Sequence, residues 1–206
     1  MGLFGFFMFL RLGKYTNRRR IMSYPIPEGW VETIKKTIPD YVSFSDEEKE
    51  KINSIIKVMI SEKQFILENP DFELNNEHKI EILARASMLS KNSIDPYLER
   101  AKAISVGGVD SQFCWTGESA YAPVWNNPKA YASIGFDNFS SKYRGAMAQW
   151  ACYYPYHPAK FQAALGNLPM DKSLFPLFTE IWFEDRNLLK EKYPDILAYL
   201  NEEFLA

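Results

Sequence analysis

The chain has 206 residues, of which 47% are hydrophobic and 24% charged, and its formal net charge is −2. This length and composition predict one globular domain, with or without an appendage, and exclude a largely disordered chain. Basic charge is concentrated in residues 1–20, which hold five Lys and Arg side chains and no acid. A general nucleic-acid-binding surface is therefore not expected, because the basic charge is confined to one short segment.

The N-terminal head, residues 1–23, consists of the apolar run Gly2–Leu10 followed by a basic stretch. Nine apolar residues are too few for a membrane-spanning helix, which needs about 20. A signal peptide carries its positive charge before the apolar run, whereas here the charge follows it. Three interpretations stay open. The head packs on the domain or on a partner, it lies on a membrane surface through residues 1–20, or it is an organellar targeting segment.

Residues 24–206 are predicted to form a single, mainly α-helical (α+β) domain with few or no strands. Ser45-Asp46-Glu47-Glu48 is typical of a capping box at a helix N-terminus, and Asn75 or Asn76 can cap a further helix. Apolar residues at helical spacing follow both caps. The predicted helices cover residues 30–38, 46–63, 77–90, 96–104, 174–184 and 187–204.

The middle of the domain, residues 107–170, has a different composition. Residues 113–156 contain 12 aromatic and only five charged residues. Prolines and glycines interrupt this stretch, so that only a short helix near residues 141–153 is expected. The segment is either core or a partner-facing surface, since Trp and Tyr dominate the energy of protein contacts. The candidate binding residues are Trp115, Tyr121, Trp125, Trp150 and Tyr154.

Cys114 and Cys152 are the only cysteines, and they lack C-x-x-C spacing. Two such cysteines predict reduced thiols rather than a disulfide scaffold or a zinc cluster. We therefore expect an intracellular reducing compartment, either the cytoplasm or the interior of an organelle. Peripheral attachment to a membrane stays open because of the head.

Two blocks of the sequence, Arg18 to about Lys91 and Phe175–Phe204, carry a resemblance to a known family. The first block contains a basic head, prolines before Trp30, Phe44-Ser45-Asp46-Glu47-Glu48 before a helix, and Ala84-Arg85-Ala86 in an acidic helix. In this order the two blocks resemble the Mlc titration factor A family, whose members are zinc-dependent peptidases. The resemblance implies a compact zincin-like scaffold, and it makes Glu180 the counterpart of the third zinc ligand.

The zinc-binding motif H-E-x-x-H is missing from the sequence. It places two imidazoles one helical turn apart, whereas the only histidines here, His78 and His157, are 79 positions apart. Two registers for the middle segment stay open. In one, the segment Gly117–Tyr121 replaces the motif, so that Glu118 stands in place of the general base. In the other, Gly117–Trp125 resembles the family's upstream strand, and the catalytic helix is lost or rewritten near residues 141–152.

The leading hypothesis is a non-catalytic relative of zinc peptidases that binds protein partners, as an accessory subunit of a larger, membrane-associated assembly and without a cofactor. Glu180 is then a vestigial ligand that bonds a backbone group or lies on the solvated face of its helix. The alternative is a zinc-dependent hydrolase with a non-standard site, in which Glu118 and His157 are catalytic candidates and Tyr121 and Glu180 lie nearby. A third possibility is a ligand-binding module whose pocket is aromatic. His78 lies in a solvated first turn and is not expected to bind metal.

Overall fold

The fold of this chain is known from a computed structural model. The described residues are 3–67, 73–99, 103–106, 115–116, 134, 136, 157–168 and 174–205. The described part of the chain is mainly helical, which confirms the predicted fold class. The division into a head and a domain at residue 23 stays a prediction.

Eight α-helices and three short strands make up the described part of the chain. The helices are α1 Leu3–Ser23, α2 Glu28–Thr37, α3 Asp46–Glu62, α4 Asn76–Ser90, α5 Pro158–Leu165, α6 Leu174–Glu184, α7 Arg186–Lys192 and α8 Pro194–Leu205. A 3₁₀ helix, Pro39–Ser43, lies between α2 and α3. The strands are β1 Gln64–Leu67, β2 Ala103–Val106 and β3 Trp115–Thr116. They form one sheet in the order β1-β2-β3, in which β1 is parallel and β3 antiparallel to β2.

Both predicted helix caps are present. The Ser45 hydroxyl accepts the backbone amide of Glu48 at 3.3 Å, and a carboxylate oxygen of Glu48 accepts the amide of Ser45 at 2.9 Å. The bond from the Ser45 amide, together with one that the Ser45 hydroxyl donates to the same carboxylate oxygen at 2.8 Å, lowers the pKa of Glu48, because both stabilise its charged form. Asn75 caps α4 in the same way, with His78 as the reciprocal partner. Local hydrogen bonds therefore define where α3 and α4 begin.

Two of the predicted helices differ from the structure. The expected helix over residues 96–104 is wrong: Leu98 lies in a turn with a φ of 46°, and residues 103–106 form β2. β2 forms because its backbone pairs with β1, a contact that local helix spacing cannot predict. The expected helix over residues 187–204 is divided at Tyr193, because a residue that precedes proline disfavours helical dihedral angles.

The hydrophobic core joins the N-terminal helices to the C-terminal ones. Ile34, Ile56 and Leu83 from α2, α3 and α4 belong to the same buried cluster as Phe178 and Trp182 from α6. Aromatic rings fill the C-terminal part of this cluster in edge-to-face contacts. Examples are Phe161 with Phe175, Phe178 with Tyr193, and Trp182 with Phe204.

Helix α1 is held on the domain by a set of contacts around Arg18, which we call the Arg18 clamp. Arg18 is only 4% exposed. Its guanidinium donates to both carboxylate oxygens of Glu62 at 2.7 Å and to Glu99 at 2.8 Å, and it lies 4.2 Å from the centre of the Tyr97 ring. Lys57 donates to the carbonyl groups of Met22 and Tyr24, near the end of α1. The C-terminal half of α1 therefore packs on α3, as the first interpretation of the head requires.

Within the described residues, no helix has both the length and the apolar character needed to span a bilayer.

The Arg18 clamp predicts an acid-sensitive contribution to stability. The hydrogen bond from Arg18 is the largest cause that lowers the pKa of Glu62 below its ordinary value of 4.5. A carboxylate with a lowered folded-state pKa stabilises the protein above its unfolded-state pKa, and this contribution is lost as the pH falls through the folded-state pKa. We expect Glu62→Gln to cost about 2 kcal/mol at neutral pH. The cost should shrink when urea unfolding is measured from about pH 6 down to about pH 3.

A matched control for this experiment is Glu47→Gln, which removes an exposed carboxylate from the first turn of α3. It should change the free energy of unfolding much less than Glu62→Gln. A cost of Glu62→Gln that stays constant over the whole pH range would contradict the role assigned to the ion pair.

Candidate functional site

Glu180, the predicted counterpart of a zinc ligand, lies in the most apolar helix of the C-terminal block. All residues of α6 from Leu174 to Trp182 are buried, and Glu180 is 0% exposed. The expectation that Glu180 lies on a solvated helix face is therefore wrong. Burying a carboxylate is unfavourable unless hydrogen bonds or a cation compensate for the lost water. The buried position of Glu180 therefore requires hydrogen bonds or a counter-charge within the protein.

A second carboxylate lies one helical turn further along α6. Glu184 and Glu180 are four positions apart, so they share a helix face. The Glu184 carboxylate forms an ion pair with Arg85 of α4, whose side chain is 9% exposed. The Arg85 guanidinium also lies 5.9 Å from the centre of the Phe183 ring. A guanidinium from the N-terminal block therefore neutralises part of the acidic face of α6.

A second ion pair between the N-terminal and C-terminal blocks lies just after the end of α6. Arg186, in the first turn of α7, pairs with Asp40 of the 3₁₀ helix at 2.5 Å. Its guanidinium stacks 3.7 Å from the centre of the Trp182 ring, a geometry that favours a cation–π contact. The Trp182 ring nitrogen in turn donates to Asn201 of α8 at 2.9 Å. These contacts fix α6 between the N-terminal helices and α8.

Both histidines of the chain act at helix N-termini. Nδ1 of His157 accepts the amide of Lys160 at 3.3 Å, at the start of α5. Nδ1 of His78 accepts the amide of Asn75 at 3.4 Å, at the start of α4. An imidazole nitrogen that accepts a hydrogen bond uses its lone pair in that bond. The Nδ1 lone pair of each ring is therefore engaged at a helix N-terminus, and the two rings belong to different helices.

The other residues predicted for the site lie outside the described residues or at their edge. Trp115 begins β3, where its backbone pairs with Ile104. The choice between the two registers of the middle segment stays open. The residues outside the described part are Glu118, Tyr121, Trp125, Trp150 and Tyr154. Among the described residues, no three His, Cys, Asp or Glu side chains group as metal ligands do.

Sequence reasoning missed Arg85 and Glu184 as members of this cluster. The signal for Arg85 is a charge inside an apolar stretch, Ala84-Arg85-Ala86, where a long basic side chain needs a buried acceptor. The signal for Glu184 is its four-residue spacing from Glu180. Nothing local links the two, because 99 positions separate them along the chain.

Part of the chain is similar in sequence to a known protein family. A family model described as glucose-regulated metallo-peptidase M90 matches residues 13–107, just under half of the chain. The match runs from α1 through β2 and supports the resemblance found for the N-terminal block. It includes Arg85 but ends before Glu180, so the role of Glu180 as a ligand counterpart stays an expectation. No curated protein and no solved structure matches the chain.

The Arg85–Glu184 pair predicts a large cost of removing one partner. Arg85→Met would leave the Glu184 carboxylate in its largely buried position without the guanidinium, and we expect a loss of about 3 kcal/mol in the free energy of unfolding. The double variant R85M/E184M should be more stable than R85M, because it also removes the stranded charge. Urea unfolding followed by circular dichroism measures both effects. Arg19→Met, at an exposed position on α1, is the control, and a loss no larger than that of R19M would contradict the prediction.

Proposed function

We propose that this chain is a non-catalytic relative of zinc metallopeptidases that acts by binding a protein partner, as a subunit of a larger assembly. The observation that carries this proposal is the use of the two histidines. Each is committed through Nδ1 to the N-terminus of a different helix, α4 for His78 and α5 for His157. Zinc hydrolysis needs about three protein ligands around one metal with a position left open for water. A pair of capping histidines on separate helices does not fit that donor set.

The surroundings of Glu180 support the same proposal. A helix rich in buried aromatic residues holds it, and the neighbouring carboxylate, Glu184, already has a guanidinium as its counter-ion. An arginine at this place satisfies a carboxylate through hydrogen bonds and charge without supplying a Lewis acid. We propose that Glu180, one helical turn before Glu184, is a vestigial ligand, and we propose no cofactor.

Partner binding is assigned to the aromatic middle of the chain, residues 107–170. Its low charge and high content of Trp and Tyr suit the centre of a protein interface, where such residues carry most of the binding energy. The proposed binding residues are Trp115, Tyr121, Trp125, Trp150 and Tyr154. An intracellular reducing compartment fits the two cysteines.

A second candidate is a zinc-dependent hydrolase with a non-standard site. The match of residues 13–107 to a metallo-peptidase family favours it. In this candidate Glu118 is the general base, Glu180 and Tyr121 supply oxygen ligands, and His157 opens its cap to act on the substrate. Oxygen ligands would lower the pKa of a zinc-bound water less than a site with two histidines does, because they transfer more charge to the metal.

Zinc retention separates the two candidates. Purified full-length protein is loaded with excess zinc and dialysed, and its metal content is measured by inductively coupled plasma mass spectrometry. We expect substoichiometric zinc and no zinc-dependent cleavage of a quenched peptide library. Glu180→Gln is the matched variant, because it removes the one predicted ligand that the structure describes. One zinc per chain in the wild type that is lost in E180Q would overturn the proposal, and zinc-dependent cleavage of the library as well would support the hydrolase candidate.

The binding role predicts that the chain occurs in a complex. Native mass measurement of the tagged protein at its natural expression level should give a species larger than the 23.9 kDa chain. Trp125→Ala combined with Tyr154→Ala should shift it toward the free chain, because large aromatic contacts are lost. Tyr24→Ala, at a tyrosine that is 59% exposed, is the control. A thermal melt shows that each variant is folded, and a wild-type chain found only as a free monomer would overturn the proposal.

A further inference from the structure

The Arg18 clamp fixes which side of α1 faces the domain. Lys14 and Arg18 are four positions apart and therefore share a helix face. The Lys14 ammonium lies 3.3 Å from Glu99 and 3.9 Å from Glu62, the same two carboxylates that Arg18 binds. Two of the five positive charges of residues 1–20 are thus turned inward and neutralised. The rotation of α1 about its own axis is set by these ion pairs.

The outward side of α1 carries a mixed apolar and basic surface. Leu12 is 60% and Tyr15 is 59% exposed, and Arg19 is exposed one turn after Tyr15. Arg20 is also exposed, and its guanidinium donates to Asn17 of the same helix at 3.0 Å. These positions are separated by three or four residues, so Leu12, Tyr15 and Arg19 form one stripe. Exposed apolar residues next to exposed arginines are typical of a helix that lies in a membrane interface.

The N-terminal part of α1 is also apolar in sequence. Residues 3–10 belong to α1 and are apolar at every position. At 1.5 Å per residue they add only about 12 Å, far less than the roughly 30 Å of a bilayer core. A segment of this length can enter the headgroup boundary but cannot cross the membrane.

The charge of the segment identifies the surface that it fits. Residues 1–20 contain no acid, and Arg19 and Arg20 remain exposed after the clamp is formed. If the α1 helices of two copies of this chain paired in parallel along this stripe, the same arginines would lie against each other. Anionic lipid headgroups offer the opposite charge together with an apolar boundary.

We infer that α1 lies on an anionic lipid surface. Leu12 and Tyr15 sit at headgroup depth, and Arg19 and Arg20 contact lipid phosphates. The Arg18 clamp keeps the domain in a fixed orientation on the helix while it is bound. This interaction is independent of the proposed protein partner and of any metal.

Vesicle co-sedimentation of the full-length protein tests the inference. The vesicles are phosphatidylcholine with about one-third phosphatidylserine, and pure phosphatidylcholine is the neutral comparison. We expect partition to the anionic vesicles to fall about 25-fold in R19Q/R20Q, since each arginine near such a surface contributes about fivefold. L12S/Y15S should weaken partition about tenfold through lost apolar contact.

The matched control is K35Q/K36Q, which removes two positive charges at positions that are 43% and 72% exposed on α2. Its partition should stay close to that of the wild type. Equal partition to neutral vesicles, or an effect of K35Q/K36Q as large as that of R19Q/R20Q, would overturn the inference. The inference would also be overturned if the wild-type chain did not bind vesicles and instead formed a dimer that dissociated in L12S/Y15S. Circular dichroism melts confirm that each variant is folded.

Discussion

The burial of carboxylates on α6 is the constraint on which the described structure depends. Glu180 is wholly buried and Glu184 largely so, in a helix whose other residues form the core. Such groups are tolerated only where a counter-charge or hydrogen bonds replace water. Arg85 reaches Glu184 from the N-terminal block, and Arg186 reaches Asp40 from the C-terminal block. Each block thus supplies a guanidinium that pairs with an acid of the other block.

These two ion pairs connect the N-terminal helices to the C-terminal helices of a chain that resembles metallopeptidases. The family match covers residues 13–107, from within α1 to β2, and α6 packs against that region through Arg85, Arg186 and the shared apolar core. The contacts between the blocks are therefore protein contacts made at the helix that carries Glu180. A change in the donor set around Glu180 would alter chemistry there without removing the ion pairs that join the blocks. Architecture and catalysis are separable in this arrangement, and the proposed loss of catalysis requires that separation.

Sequence reasoning succeeded where the determinants are local. The Ser45 cap and the Asn75 cap were both predicted from the sequence, because each depends on residues within one helical turn. It failed where a distant partner decides the structure. β2 replaced an expected helix because β1 pairs with it, and the burial of Glu180 depends on packing among helices far apart in the chain. The role of His157 as a cap could have been inferred from Pro158, which favours the first position of a helix.

The same physics decides how the charge of the N-terminal head should be interpreted. A count of residues 1–20 gives five basic side chains, yet a guanidinium that bonds Glu62 and Glu99 inside the clamp cannot also reach a lipid phosphate. The electrostatic attraction to a membrane must then come from the arginines that the clamp leaves outside, Arg19 and Arg20 among the described side chains. Docking of α1 on the domain and attachment of α1 to lipid therefore use different residues of one helix. Because the two sets do not compete, the domain can stay docked on α1 while the helix binds lipid.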